Sequence, residues 1–278
     1  MRAIYATDLS AASEAAIENE TCLECLGRIG VETVHLVTVV PSNVHPGMPG
    51  MDLERRRERA LDRYRGVMER AGFGVETHVV RGTPYRRING VAEAVRADLT
   101  VVGSRGQSPL ANRVIGSTAR NLARTTVVPL LVNRIEREDD EPAVLREHLF
   151  RRVLYATDFS DNAERAFDAF SYLRHAAREA TLVHVESPKD RGETDPEERL
   201  AELAETLEQW DIETATQVRR GDPAEEILDV EAAVTPTTTL VGSRGRSRVR
   251  RLLLGSVSED LVARASGNVY LVPPPRTV

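Results

Sequence analysis

The sequence predicts an α/β protein made of two tandem doubly wound domains, each with a five-stranded parallel sheet, and three observations predict it. Short segments recur in the same order in both halves of the chain, β-rich runs alternate with helical ones, and a glycine loop follows the same β-run in each copy. The repeat is read from matched pairs: "YATDLS" at 5–10 with "YATDFS" at 155–160, "LVTV" at 36–39 with "LVHV" at 182–185, and "RGTP" at 81–84 with "RGDP" at 220–223. The glycine loops are "VVGSRGQSPLANRVIGST" at 101–118 and "LVGSRGRSRVRRLLLGSV" at 240–257. The offset between copies falls from 150 to 139 residues before "RGDP", so the second copy is shorter by 11 residues, mostly around its second helix.

The elements of the first copy follow in order. Runs rich in Val, Ile, Leu and Thr at 2–7, 33–40, 75–80, 98–103 and 127–132 suit buried strands. Helical patterns at 10–27, 53–69, 84–97 and 116–124 separate them. Strand then helix, with short connections, is the pattern of a parallel doubly wound sheet. Helix starts agree: Ser10 and Ser160 are N-cap candidates, and Thr83-Pro84 and Asp222-Pro223 put a capping side chain before a proline at the first helical position. The acidic run and Pro142 of "NRIEREDDEPAVLREHLFRR" read as a linker. The expected organisation is a first domain at 1–140, a linker at 141–150 and a second domain at 151–278.

Composition narrows the function. No apolar run of about 18 residues occurs, and "MRAIYATDLS" has neither an apolar h-region nor a cleavage site, so a cytoplasmic protein with no membrane partner is expected. The net charge of −6 names no nucleic-acid partner. Lys189 is the only lysine, which excludes phosphate chemistry built on a loop lysine such as GxxxxGK[ST]. Cys22 and Cys25 form "CLEC", but they fall about three turns into the helix expected from Ser10, where no helix N-terminus lowers a thiol pKa. His35, His45, His78, His148, His175 and His184 show no ligand spacing along the chain, so no metal site is expected.

In open parallel sheets, ligands bind at the carboxyl ends of the strands beside the switch in strand order. Two repeated segments belong on that rim: the turn with Asp8 or Asp158, and the loop G-x-x-G-x9-G-S. The loop holds Gly103, Gly106, Gly116 and Ser117 in the first copy, and Gly242, Gly245, Gly255 and Ser256 in the second. Glycines let a backbone approach an anion without a Cβ in the way, and Gly-Ser opening a helix offers unpaired N–H groups to phosphate. An aspartate after a strand also caps turns, and glycines also serve turns alone.

These segments, with the last strands "VPLLV" and "NVYLV", resemble those of the universal stress protein family across nearly all of the chain outside the linker. The resemblance implies two fused domains of the adenine-nucleotide α-hydrolase-like, Rossmann-like fold, both in the branch that keeps the glycines and binds ATP. It implies that Asp8 and Asp158 lie near adenine and ribose, that the backbone of Val39 and Val185 meets the adenine edge, and that the eight loop residues named above hold ribose and phosphates. The expected ligand is ATP or AMP, with Mg²⁺ admitted beside the phosphates. The chain departs from the family at Ala6 and Ala156, where proline is common before Thr-Asp, and at Asn268 in the last strand.

The function expected is a nucleotide-dependent stress sensor or regulator with a site in each half and a protein partner not identified. The alternatives are a weak ATPase or phosphotransferase, and a scaffold with vestigial pockets. No catalytic residue is assigned, because no lysine or paired His and acid accompanies the loop, and the SGGxDS, HIGH and KMSKS signatures are missing. The last strands are expected to pair about a pseudo-two-fold within one chain, leaving homodimerisation of whole chains open. Arg244, Arg246, Arg248, Arg250 and Arg251 line the second loop where the first holds Arg105, Gln107, Pro109, Ala111 and Asn112. Were these arginines to reach the phosphates, the second site would favour ATP over AMP more than the first.

Overall fold

A computed structural model describes residues 1–42, 53–104, 115–138, 141–144, 148–186, 195–245 and 254–275. The chain forms two compact units, Met1–Glu147 and His148–Val278.

The first unit contains strands β1 (Arg2–Ala6), β2 (Thr33–Val40), β3 (Gly74–Arg81), β4 (Leu99–Gly103) and β5 (Leu130–Asn133), with helices α1 (Ala11–Glu18), α2 (Glu20–Arg28), α3 (Leu53–Arg70), α4 (Pro84–Ala94) and α5 (Ser117–Thr125). Its parallel strands run in the order β5-β4-β1-β2-β3. The chain steps outward from β1 to β3 and returns to β4, so the order switches between β1 and β4. That switch opens a crevice at the carboxyl rim. Ile4, Val34, Leu36, Leu99 and Leu130 are buried in the sheet, and Leu61, Met68, Ile88 and Leu122 bury helix faces. Burial from both sides explains the near-continuous apolar strands.

Two elements differ from the expected ones. The helix expected over 10–27 breaks at Asn19, whose extended backbone ends α1 and whose side-chain oxygen accepts the Cys22 N–H, starting α2. Asparagine competes for backbone groups in this way and favours caps over helix interiors. Cys22 is therefore in the first turn of a helix after all, but neither cysteine is in a disulfide and both are buried in the core. Part of the expected linker is also ordered: β6 (Ile135–Glu138) and β7 (Glu141–Val144) pair as an antiparallel hairpin within the first unit.

The second unit repeats the plan with β8 (Arg152–Thr157), β9 (Glu179–Glu186), β10 (Glu213–Arg220), β11 (Thr238–Gly242) and β12 (Asn268–Val272), all parallel in the order β12-β11-β8-β9-β10. Its helices are α6 (Asp161–Phe167), α7 (Phe170–Leu173), α8 (Pro196–Glu208), α9 (Pro223–Val234) and α10 (Ser256–Arg264). Phe150, Tyr155, Phe170 and Tyr270 fill its core. Among the described residues, no helix is long and apolar enough to cross a membrane.

Candidate functional site

At the switch point of the first unit, the rim holds a cavity of about 260 Å³. Ligand sites span about 300–1,000 Å³, so this one suits a compact ligand. Its walls are mostly apolar: Ala6 from β1, Val39 and Pro41 at the end of β2, Pro84 and Ile88 from α4, and Val102 from β4. Asp8, Ser13, Arg57, Ser117 and Thr118 add polar groups to the lining.

Asp8 is held by a strained turn. Leu9 has φ of 63°, in the left-handed region that costs a bulky residue of the order of 1 kcal/mol or more. This turn lets Asp8 Oδ1 accept from the Ser10 N–H at 3.0 Å and the Ser13 hydroxyl at 2.8 Å, while Thr7 Oγ1 accepts the Leu9 N–H. Phe159 repeats the conformation at φ of 55°, and Asp158 Oδ1 accepts from both groups of Ser160. The turn-capping role of both aspartates is thus real, and Asp8 also faces the cavity.

Gly116 begins the other wall. Its N–H donates to the Ser104 carbonyl at 2.8 Å, and Arg120 is the residue whose N–H returns to the Gly116 carbonyl. The amides of Ser117, Thr118 and Ala119 are therefore the opening N–H groups of α5, at residues that line the cavity. Its N-cap residue, Gly116, makes no side-chain cap bond. A Cβ on Gly116 would rest at an ordinary 3.5 Å from the Ser104 carbonyl oxygen, and φ of −62° suits any residue. Among the described residues, neither packing nor backbone conformation demands glycine here, and glycine is also an accepted N-cap residue.

Arg57 is the site residue that sequence reasoning missed. Its Nη1 donates to Thr38 Oγ1 at 2.6 Å and its side chain lines the cavity. Burial pulls the guanidinium pKa down and the Asp8 charge pushes it back up. Nothing distinguishes it in the run "ERRRER"; only the docking of α3 on the sheet selects this arginine.

The sequence profile described as the universal stress protein family matches residues 1–134 and again 149–273. The chain belongs to the universal stress protein family. A universal stress protein of Mycolicibacterium smegmatis is 27% identical, over 98% of this chain and 96% of its own length. One from Methanocaldococcus jannaschii is 25% identical over 47% of this chain and 86% of its own. Among solved structures, a universal stress protein from Archaeoglobus fulgidus shares the fold with a TM-score of 0.75, at 24% identity and 98% coverage of both chains.

The second universal stress protein domain builds its rim differently. Asn162, aligned with Ala12 of the first, lies against Gly242, where an added Cβ would collide with its side-chain nitrogen and carbonyl. Its Nδ2 donates to the carbonyls of Arg244 and Val272 at 3.3 and 3.2 Å, tying α6 to the start of the glycine loop and to β12. A Cβ on Gly245 would meet Asp158 Oδ2 at 2.5 Å. Gly242 and Gly245 thus have partners within the protein. Gly255, like Gly116, has room for a Cβ at 3.5 Å from a carbonyl, and it precedes the uncapped helix α10 that Ser256 opens. His184, aligned with Thr38, bonds through Nδ1 to the Thr157 carbonyl and stacks on Phe159 at 4.5 Å, with Arg199 over the other ring at 4.1 Å. Val185 is buried at the end of β9, as Val39 is in β2.

Gly106 and most of both loops, including Arg105, Gln107, Pro109, Ala111, Asn112, Arg246, Arg248, Arg250 and Arg251, lie outside the described residues. Of the expected site residues, Asp8, Val39, Gly103, Gly116 and Ser117 come together around one cavity.

Proposed function

We propose that the first domain binds an adenine nucleotide, ATP or AMP, and that the protein acts as a sensor or regulator through that binding. The N-terminus of α5, opened by a glycine cap beside an apolar box, carries the reading. The box suits a flat base, the Asp8 carboxylate suits sugar hydroxyls, and the α5 amides with the Arg57 guanidinium suit phosphate. The loop's resemblance to the glycine-retaining branch of the family supports adenine as the base. Micromolar affinity needs about 8 kcal/mol, which three or four charge-assisted hydrogen bonds of about 1.5–3 kcal/mol each, plus base burial, supply.

We extend the proposal to the second domain with a difference: Asn162 latches its rim, so the two sites are unequal. Opening that latch breaks two hydrogen bonds of about 0.5–1.5 kcal/mol each.

Equilibrium dialysis of the full chain against labelled ATP tests the proposal. Binding should saturate in the micromolar range and weaken about tenfold in Arg57→Gln, the loss of one charge-assisted contact. No uptake by the wild type, or equal uptake by the variant, would contradict it.

A further inference from the structure

We propose that His35, Glu76 and His78 form a binding site for a divalent transition metal of the zinc class, on the β2–β3 edge of the first domain and apart from the nucleotide cavity.

Strand pairing assembles the site from residues that show no motif in the chain. In the parallel register, His35 lies opposite Glu76 and Val37 opposite His78. Residues two apart on a strand share a face, so Glu76 and His78 present their side chains together beside His35. One ligand atom from each of the three lies within 4.8 Å of the others. The closest pairs are His35 Nδ1 to His78 Nε2 at 3.1 Å and His35 Nδ1 to Glu76 Oε2 at 3.4 Å. Zinc bonds of about 2.05 Å at tetrahedral angles put neighbouring donor atoms about 3.3 Å apart, so the two gaps match the edges of a tetrahedron around such an ion. Two imidazoles and a carboxylate are a donor set that zinc and its neighbours accept, with a fourth position left for water.

The surroundings suit the chemistry. His35 is only 3% exposed, which fixes its ring, while the Glu76 side chain is 65% exposed and leaves a path for the ion. Ligating imidazoles must be neutral, and burial lowers the pKa of both rings, outweighing the Glu76 charge that raises it. Arg2 is the cation that bears on His35, and its guanidinium is engaged with the Val95 carbonyl. Among the described residues His35 Nε2 has no hydrogen-bond partner, and the polar contacts of this buried ring run through Nδ1, into the cluster. β3 ends the sheet order of its unit, and His35 lies four residues before Val39, about 13 Å along β2 from the nucleotide rim.

The second domain supplies a built-in control. In the same register it has Thr181 opposite Ala215 and Val183 opposite Gln217, where the first has His35 opposite Glu76 and Val37 opposite His78. The fold therefore needs none of the three ligands.

The test is zinc uptake by the tag-free full chain in equilibrium dialysis at neutral pH, read by elemental analysis, for the wild type, His78→Gln and Glu76→Gln. His78→Gln installs the residue of the other domain, and Glu76→Gln changes an exposed group, so circular dichroism should match the wild type for both. One zinc per chain is expected for the wild type, with affinity lower by about tenfold or more in His78→Gln and a smaller loss in Glu76→Gln. Zinc bound equally by wild type and His78→Gln, or no zinc bound by the wild type, overturns the assignment. Should His78→Gln misfold, the Glu76→Gln result decides by the same criterion.

Discussion

One side-chain amide is a clear difference between the two rims. Ala12 has no side-chain amide to make such a tie, whereas Asn162 at the matching position spans from α6 to the Arg244 and Val272 carbonyls. Among the described residues its Oδ1 is buried without a hydrogen-bond partner. Asn162→Ala should release the latch and tighten nucleotide binding in the second domain by roughly tenfold, the equivalent of about 1.4 kcal/mol. Competition binding with ATP in a Gly116→Val background measures that site alone, and unchanged affinity would show that Asn162 does not gate it. Asp8 and the glycines were legible in the sequence because they recur at fixed spacing. Arg57 and Asn162 were not, because each lies in a helix whose face toward the rim is chosen by packing rather than by pattern.

Each domain reaches its fourth helix through the same turn, with Gly82 at φ of 144° and Gly221 at 152° preceding a cap residue and a proline. The caps themselves differ. Asp222 accepts from the Ala224 and Glu225 N–H groups, but Thr83 makes no side-chain cap bond to α4. Asp222→Ala should therefore cost about 1 kcal/mol and Thr83→Ala less than about 0.5 kcal/mol in urea denaturation. Equal losses would mean that proline at the first helical position, not the cap, sets these helix starts. Strand and helix order was readable because parallel sheets use continuous apolar runs and short connections. The break at Asn19 was hidden inside an amphipathic run, since "IENETCLECL" keeps its apolar spacing through the interruption. The β6–β7 hairpin was hidden in charged sequence that reads as linker. The His35–Glu76–His78 cluster was hidden because the decisive neighbours are 43 residues apart and meet only through strand register.

At the scale of the molecule, duplication gave two copies of one sheet plan and left each free to change its rim. The family profile matches both halves, and each half forms its own compact unit. The proposal for the molecule is that the open cavity of the first domain is the tighter of two unequal nucleotide sites. Calorimetric titration of the full chain with ATP tests it most directly, using wild type, Gly116→Val and Gly255→Val. Both substitutions add a side chain where the backbone is extended and a Cβ has room, so the fold should lose no more than about 1 kcal/mol. A tight binding event is expected in the wild type that survives in Gly255→Val and disappears in Gly116→Val. A tight event that survives Gly116→Val and disappears in Gly255→Val would contradict it, as would two sites of equal affinity in the wild type.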